Sequence, residues 1–412
     1  MIVNFSSTMG IIVGKFLRGL GWLIGLQKSR AKGAAFSSKQ PVIFLVSHNS
    51  RGGVQELWQN VVEGLRLRNH EVRLMSLYPG DANNSSGSIS WDYVVPRKPQ
   101  TLYEKATLAF RLARKLQDLN AAVIVSAMPA ANVLGPIAVC IAGLDCSVIT
   151  THHTPVNTHN SLLKNIDSIT GTFAVTRVVV CVSKTVSESL NRKSSLYRAK
   201  RRVIHNALPP DLEKLISKLS QSRPAVARKK RIVATGRLDP EKNIAVLIRA
   251  VAQMVGIELL IVGDGMQRQT LEALAQELGV AGSVRFLGHM PRENVLGVMA
   301  DCDIFTQPSY IEGHSLSLVE ASKLGMPLFV SDVAAQVEGI TDSAGNRCGI
   351  ALNPEDADGF AREITKLFNS SSEFDIWAAR SRHLGSQSSY NKMIDEYEHL
   401  IVQPSLSLNF AE

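Results

Sequence analysis

The feature that most constrains the fold is an alternation of short apolar runs with helix-spaced segments, which occurs once in the first half of the chain and again in the second. PVIFLVSH (41–48) reads as a buried strand, Gly52 and Gly53 punctuate the loop after it, and VQELWQNVVEGLRLRNH carries helical periodicity. EVRLMSLYP is a second strand, TLYEKATLAFRLARKLQDLN a helix and AAVIVSAMP a third strand. An apolar helix through Cys140 then leads to strands SVITTHHT, VTRVVVCVS and KRRVIHNALPP, the last running into a turn. Strands apolar on both sides and separated by helices imply a parallel sheet covered on both faces.

The rhythm stops at DLEKLISKLSQSRPAVARKK (211–230), a polar stretch that ends in a basic run and lacks a strand, and the domain junction is expected there. It restarts with strand KRIVATGRL, helix KNIAVLIRAVAQMV and strand IELLIVGDG, and continues to strands SVRFLGH, DIFTQPSY and MPLFVSD with helices between. The reading is two Rossmann-like, doubly wound α/β domains: residues 40–210, a linker over 211–230, then 231–385. Residues 386–412 follow as a helix and tail. Two such domains face each other across a cleft, and ligands bind at the carboxyl ends of their strands.

Residues 1–39 differ from the rest. MGIIVGKFLRGLGWLIGL (9–26) is interrupted by Lys15 and Arg18 and turns basic at Lys28, Arg30 and Lys32, which argues against a membrane-spanning helix. Ile12, Phe16, Trp22 and Leu26 share one side of a helix, so residues 9–32 read equally as a helix lying in a membrane interface and as an unstructured leader or an upstream start. The net charge of +9 favours phosphate-bearing partners. Aromatics are only 6% and show no basic-aromatic interleaving, which sets nucleic acid aside. The five cysteines form no Cys-x-x-Cys pair and sit in apolar contexts, as reduced thiols of a cytosolic protein do.

The sharpest motif is SYIEGHSLSLVEASKLGMP, in which Glu312 and Glu320 flank seven residues where a strand gives way to a helix. Amides near His314, Ser315 and Leu316 open that helix and suit a diphosphate. Glu312 is expected before the helix, so that the two carboxylates contact different parts of one extended ligand. GRLDPEKN (236–243) also lies between strand and helix and offers Arg237 and Lys242 to neutralise a leaving diphosphate. IVGDG (261–265) is a third glycine-marked strand end, with Gly263, but lacks the third glycine of a dinucleotide fingerprint. Asp301-Cys302-Asp303 precedes a strand and is read as its start, with no metal role.

From Pro41 to about His399 the chain resembles the family-4 glycosyltransferases of the GT-B fold. The resemblance rests on Gly52-Gly53, TTHHT (150–154), VCVSK (180–184), VIHNA (203–207), GRLDPEKN, VGDG, RFLGH (285–289) and the paired glutamates, in that order. It implies a retaining hexosyltransferase without cofactor or metal, using a nucleotide-sugar donor with a uridine diphosphate as the default. By the same analogy Glu312 supports the positive charge developing on the transferred sugar, and Glu320 accepts from the ribose hydroxyls. Arg237 and Lys242 hold the phosphates, and the Gly52-Gly53 loop approaches them from the other domain. His153, rather than His152, bonds a sugar hydroxyl and shapes the acceptor site, while Gly263 and His289 belong to the donor side. The C-terminal helix returns to the first domain.

Two departures stand out. Gly313-His314-Ser315 replaces the family's Phe-Gly and implies a more polar sugar pocket. Ala207 stands where many members have glycine, so a turn needing positive φ would differ here. The acceptor is expected to be a lipid-linked or cell-envelope glycan intermediate, met in the cytoplasm or at the inner face of a membrane. A nucleotide-sugar epimerase of the same fold and a catalytically silent binding homologue are the alternatives.

Overall fold

The computed structural model describes residues 40–50, 52–80, 90–222 and 229–403. The leader 1–39, its membrane-facing reading and the tail beyond 403 lie outside the described residues.

Seven parallel strands form the first sheet. They are β1 (Val42–His48), β2 (Val72–Tyr78), β3 (Trp91–Tyr93), β4 (Val123–Ala127), β5 (Ser147–His152), β6 (Thr176–Cys181) and β7 (Arg201–Val203), in the spatial order β3-β2-β1-β4-β5-β6-β7. Six more build the second sheet: β8 (Arg231–Thr235), β9 (Glu258–Val262), β10 (Val284–Gly288), β11 (Ile304–Gln307), β12 (Leu328–Ser331) and β13 (Ile350–Leu352), ordered β10-β9-β8-β11-β12-β13. In both sheets the order of strand addition reverses beside the first strand, between the parallel neighbours β1 and β4 and between β8 and β11. Such switch points leave a crevice at the carboxyl ends, where the Gly52-Gly53 loop and the loops carrying Lys242 and Glu312 sit.

The central strands are apolar on both faces because both are covered. Val42, Phe44 and Val46 enter one buried cluster with Trp58, Val61 and Leu65 of the helix Gly53–Leu67, while Ile43 and Leu45 enter another with Leu112 and Leu116 of the helix Leu102–Leu119. Thr101 and Glu104 close a reciprocal capping box at the start of the latter helix.

The stretch read as a linker is largely helical. Residues Pro210–Ser222 form a helix whose Leu212, Leu215, Ile216 and Leu219 pack into the second lobe's core with Leu296, Met299 and Leu324. Four apolar residues at spacings of three and four were hidden among the charged ones that face solvent. The short edge strands β3 and β13 and the helix Ser161–Thr170 also lay below the resolution of the pattern.

The helix Tyr390–Val402 packs on the first lobe through Tyr390, Met393, Ile394, Tyr397, Leu400 and Ile401. Fully buried Trp58 is the hub of this contact, edge-on to Phe44 at 5.0 Å, to Tyr397 at 5.7 Å and to His153 at 5.4 Å between ring centroids. The C-terminal segment thus braces the wall on which His153 stands.

Candidate active site

Lys242 and Glu312 meet where β8 and β11 end. Lys242 closes the 3-10 turn Pro240–Lys242, and Asn243 follows it in the left-handed region at φ 52°. Asparagine tolerates that conformation, and its buried amide donates to the carbonyls of Pro308 at 3.3 Å and Pro354 at 2.7 Å. The Tyr310 amide donates to Glu241 O at 2.8 Å, a second stitch between the two loops. Lys242 Nζ, held in this way, donates to Glu312 Oε1 at 2.6 Å, and Gln307 Nε2 donates to the same oxygen at 2.9 Å. Both charged side chains are mostly buried, 17% and 11% exposed, so their attraction is little screened.

Glu312 precedes the helix Leu316–Lys323, whose N-cap Ser315 accepts from the Leu318 amide. Between them Gly313 lies against the first lobe, since a Cβ there would overlap the carbonyl oxygen of His153. Only glycine permits that approach. His314 stacks on His205 with centroids 4.9 Å apart, and its carbonyl accepts from Asn206 Nδ2 at 2.9 Å. Burial, with some help from His205, pushes the His314 imidazole down to about 3, so it is neutral at ordinary pH. His153 is likewise held down to about 3 by burial and by neighbouring His152, and its Nε2 lies 3.0 Å from Thr151 Oγ1. A pocket of about 330 Å³ opens between the lobes beside Glu312, with Pro155, Asn157 and Thr158 on one side and Tyr310 and Val333 on the other.

Two of the expected site residues stand apart from the Lys242–Glu312 pair. Arg237 does not join Lys242: it is 64% exposed, with its guanidinium on Asp239 at 2.7 Å and on Glu241 at 3.2 Å. The acidic residues within four positions of it capture the charge locally. Glu320 is the second. It is fully buried in its helix and ion-paired to Arg292, and burial raises its carboxyl above the usual range despite that partner. The feared turn at Ala207 is absent: among the described residues Ala207 is not among the positive-φ positions, and it is buried in the first lobe's core.

The glycines divide into two kinds. Gly263, at φ 137°, faces Gly236 so closely that a Cβ would overlap the Gly236 carbonyl oxygen, which fits the loops after β8 and β9 together. Gly52 caps the helix Gly53–Leu67 in extended conformation, and nothing lies within 4 Å of where a Cβ of Gly53 would be. His289 is exposed just beyond Gly288, whose carbonyl accepts from the Gly263 amide at 2.8 Å. Asp301 and Asp303 stand at the amino end of β11, away from the cleft. Asp301 is paired with Lys229 and Arg231, and Asp303 accepts from the Arg231 amide at 3.0 Å.

Sequence reasoning missed Gln307, Arg292, Glu56 and Glu338. Gln307 had one local signal, a polar residue ending an apolar strand. The others act between elements distant in the chain. Glu338 accepts from the amides of Lys184 at 2.6 Å and Thr185 at 2.7 Å, and from the Thr185 hydroxyl at 2.7 Å, tying the second lobe to the first.

This arrangement of two Rossmann-like lobes facing one cleft defines the GT-B class of transferase. Residues 51–212 match the family model Glycosyltransferase Family 4, and residues 216–384 match Glycosyl transferases group 1. The chain belongs to the family-4 glycosyltransferases. Among curated relatives, D-inositol 3-phosphate glycosyltransferase of Mycolicibacterium smegmatis is 32% identical over 145 residues, covering 34% of this chain and 33% of that relative. The match therefore spans about a third of that relative's length. Lipopolysaccharide core biosynthesis glycosyltransferase LpsE of Rhizobium meliloti is 29% identical over 231 residues, covering 56% of this chain and 65% of LpsE. Among solved structures, HepE of Anabaena in complex with UDP superposes with a TM-score of 0.70 at 19% identity, over 88% of this chain and 99% of HepE, a likeness of fold. Among the described residues no helix is long and apolar enough to cross a membrane.

Proposed function

We propose that this chain transfers a sugar, with retention of anomeric configuration, from a nucleoside-diphosphate sugar to an acceptor in cell-envelope glycan assembly. The observation that carries the reading is the Lys242–Glu312 pair at the carboxyl ends of β8 and β11, facing His153 across Gly313. The acceptor hydroxyl oxygen bonds to the anomeric carbon as the bond from that carbon to the phosphate oxygen breaks. The electron pair leaves on the diphosphate, which takes the acceptor's proton. An ammonium suits the departing diphosphate and a carboxylate suits an oxocarbenium-like centre, so the two ions that neutralise each other without ligand have opposite tasks with it. Neutral His153 serves as a hydrogen-bond partner for a sugar hydroxyl. Glu320 is assigned to the ribose and the Gly52-Gly53 loop to the diphosphate. Arg237 reaches the diphosphate only by leaving Asp239 and Glu241.

UDP bound to HepE supports a uridine diphosphate donor, and the role of LpsE in lipopolysaccharide core biosynthesis supports an envelope glycan acceptor. Lipid-linked acceptors would be met at the inner face of a membrane, with residues 9–32 as the contact. The reaction is assigned to this chain's own groups, without cofactor or metal. A screen of UDP-, GDP- and ADP-sugars for stabilisation and hydrolysis, followed by transfer to envelope glycan fragments in chelator and NMR of the product anomer, tests the reading. Donor interconversion without acceptor would indicate an epimerase instead, and binding without turnover a silent homologue.

A further inference from the structure

Arg292 touches both a candidate donor residue in the second lobe and the first turn of the helix behind the glycine loop in the first. It opens the helix Arg292–Ala300, its Nε donates to Glu320 Oε1, and its Nη1 donates to Glu56 Oε2 at 3.0 Å. Glu56 stands three residues after Gly53, in the first turn of the helix Gly53–Leu67. Glu320 is fully buried, and its second oxygen, Oε2, is inaccessible and has no hydrogen-bond partner. A buried carboxylate with half its acceptor capacity unused is costly, and an apolar residue would fill the same space more cheaply. The unused oxygen marks a position kept for a ligand.

We propose that Arg292 is a positioning residue for the donor: it holds Glu320 in one orientation with Oε2 reserved for vicinal hydroxyls of a ribose, and through Glu56 sets the closure of the two lobes on that ribose. The inference rests on the donor reading above and deepens it. The charged groups acting on Glu320 are Arg292 and Glu56, and Glu293 adds to the field at Arg292. Burial pushes the Glu320 carboxyl up and Arg292 pulls it back, so without the guanidinium the carboxyl is protonated over a wider range of pH.

The test uses the full-length protein and whichever of UDP, GDP and ADP the wild type binds most tightly by calorimetry. R292M is expected to weaken that affinity at pH 7 by about tenfold or more, the scale of a lost charge-assisted hydrogen bond. Its affinity is expected to recover as pH rises, with the midpoint above that of the wild type. R292K restores part of the affinity and returns the midpoint toward the wild type. E56Q weakens binding by less and keeps the wild-type pH dependence, because the Arg292–Glu320 pair remains. In an E320Q background R292M adds little further loss. Wild-type affinity and pH dependence in R292M overturn the inference while leaving the donor reading intact. A wild type that binds none of the three nucleotides overturns the donor reading itself. If R292M does not fold, R292K decides: unchanged affinity and midpoint overturn the role of the guanidinium.

Discussion

Lys242 and Glu312, seventy positions apart, form a 2.6 Å ion pair at the mouth of the cleft, and Gln307 completes it. The pair explains how two opposite charges persist at 17% and 11% exposure without ligand, and a bound donor would separate their tasks. Lys242→Met leaves Glu312 nearly buried with only Gln307, and Glu312→Gln leaves the ammonium without its counter-ion. Each is expected to reduce transfer by about a hundredfold or more, as removal of one preorganised charge does, and to cost about 1–3 kcal/mol of stability. Initial rates with saturating donor, alongside urea melts, check both. The double variant should cost less stability than the sum of the singles, since neither charge is left stranded.

Gly263→Ala makes a separate prediction about the loop beneath that pair. The backbone there has φ 137°, and an added Cβ would meet the Gly236 carbonyl oxygen. Since Gly236 begins the loop leading to Lys242 and lies against its side chain, a shift there displaces Lys242. Strain and displacement together are expected to cost about 2–3 kcal/mol or more, seen as a lowered melting temperature with weaker donor binding. Wild-type stability in this variant would mean that the two loops are not in contact.

How much of this was legible beforehand follows from which interactions are local. Continuous apolar runs separated by helical spacing marked both sheets, because a parallel sheet buried on two faces writes itself into its central strands. The Glu312 loop and the neighbourhood of Lys242 were legible for a related reason, being fixed by strand-to-helix turns. The ion pairs of Arg237 with Asp239 and Glu241 were not legible, because the sequence alone does not rank those partners against a ligand. The full burial of Glu320 was not legible, because its helix is short and mixed in polarity and the helix Ser371–Ser386 that packs on that helix comes from a distant part of the chain. Arg292, Glu56 and Glu338 bridge elements more than a hundred residues apart and leave no pattern in either segment.

His153 carries a prediction about pH. Its imidazole is held down to about 3, first by burial and then by His152, so it is uncharged throughout the working range. Its protonation therefore contributes no limb to the pH–rate profile between about pH 5 and 8, where an ordinary histidine would titrate near 6.5. His153→Asn, which keeps a hydrogen-bonding group without a titrating one, should lower the rate but leave the shape of the profile unchanged. A wild-type limb near pH 6 that disappears in this variant would contradict the assignment.

Glu338 gives the interlobe contact its own pH signature. Burial opposes ionisation, yet hydrogen bonds from His205, Thr185 and Lys184 prevail and hold the carboxyl at about 2, against an ordinary value of 4.5. A depressed folded-state value means stability that is present above about pH 4.5 and lost as pH falls toward 2. The displacement corresponds to roughly 3 kcal/mol as an upper figure, since the side chain is 20% exposed. Glu338→Gln should therefore be less stable than the wild type at pH 7, and the gap should narrow steadily from pH 5 to pH 2.5. The amides of Lys184 and Thr185 lie in the first lobe, so the loss is one of lobe attachment rather than of either core. The protection factors of those two amides, corrected for the intrinsic pH dependence of exchange, should fall with acid in the wild type and be lowered already at pH 7 in the variant. A gap in stability that is constant with pH would place the energy of Glu338 in packing and not in its charge.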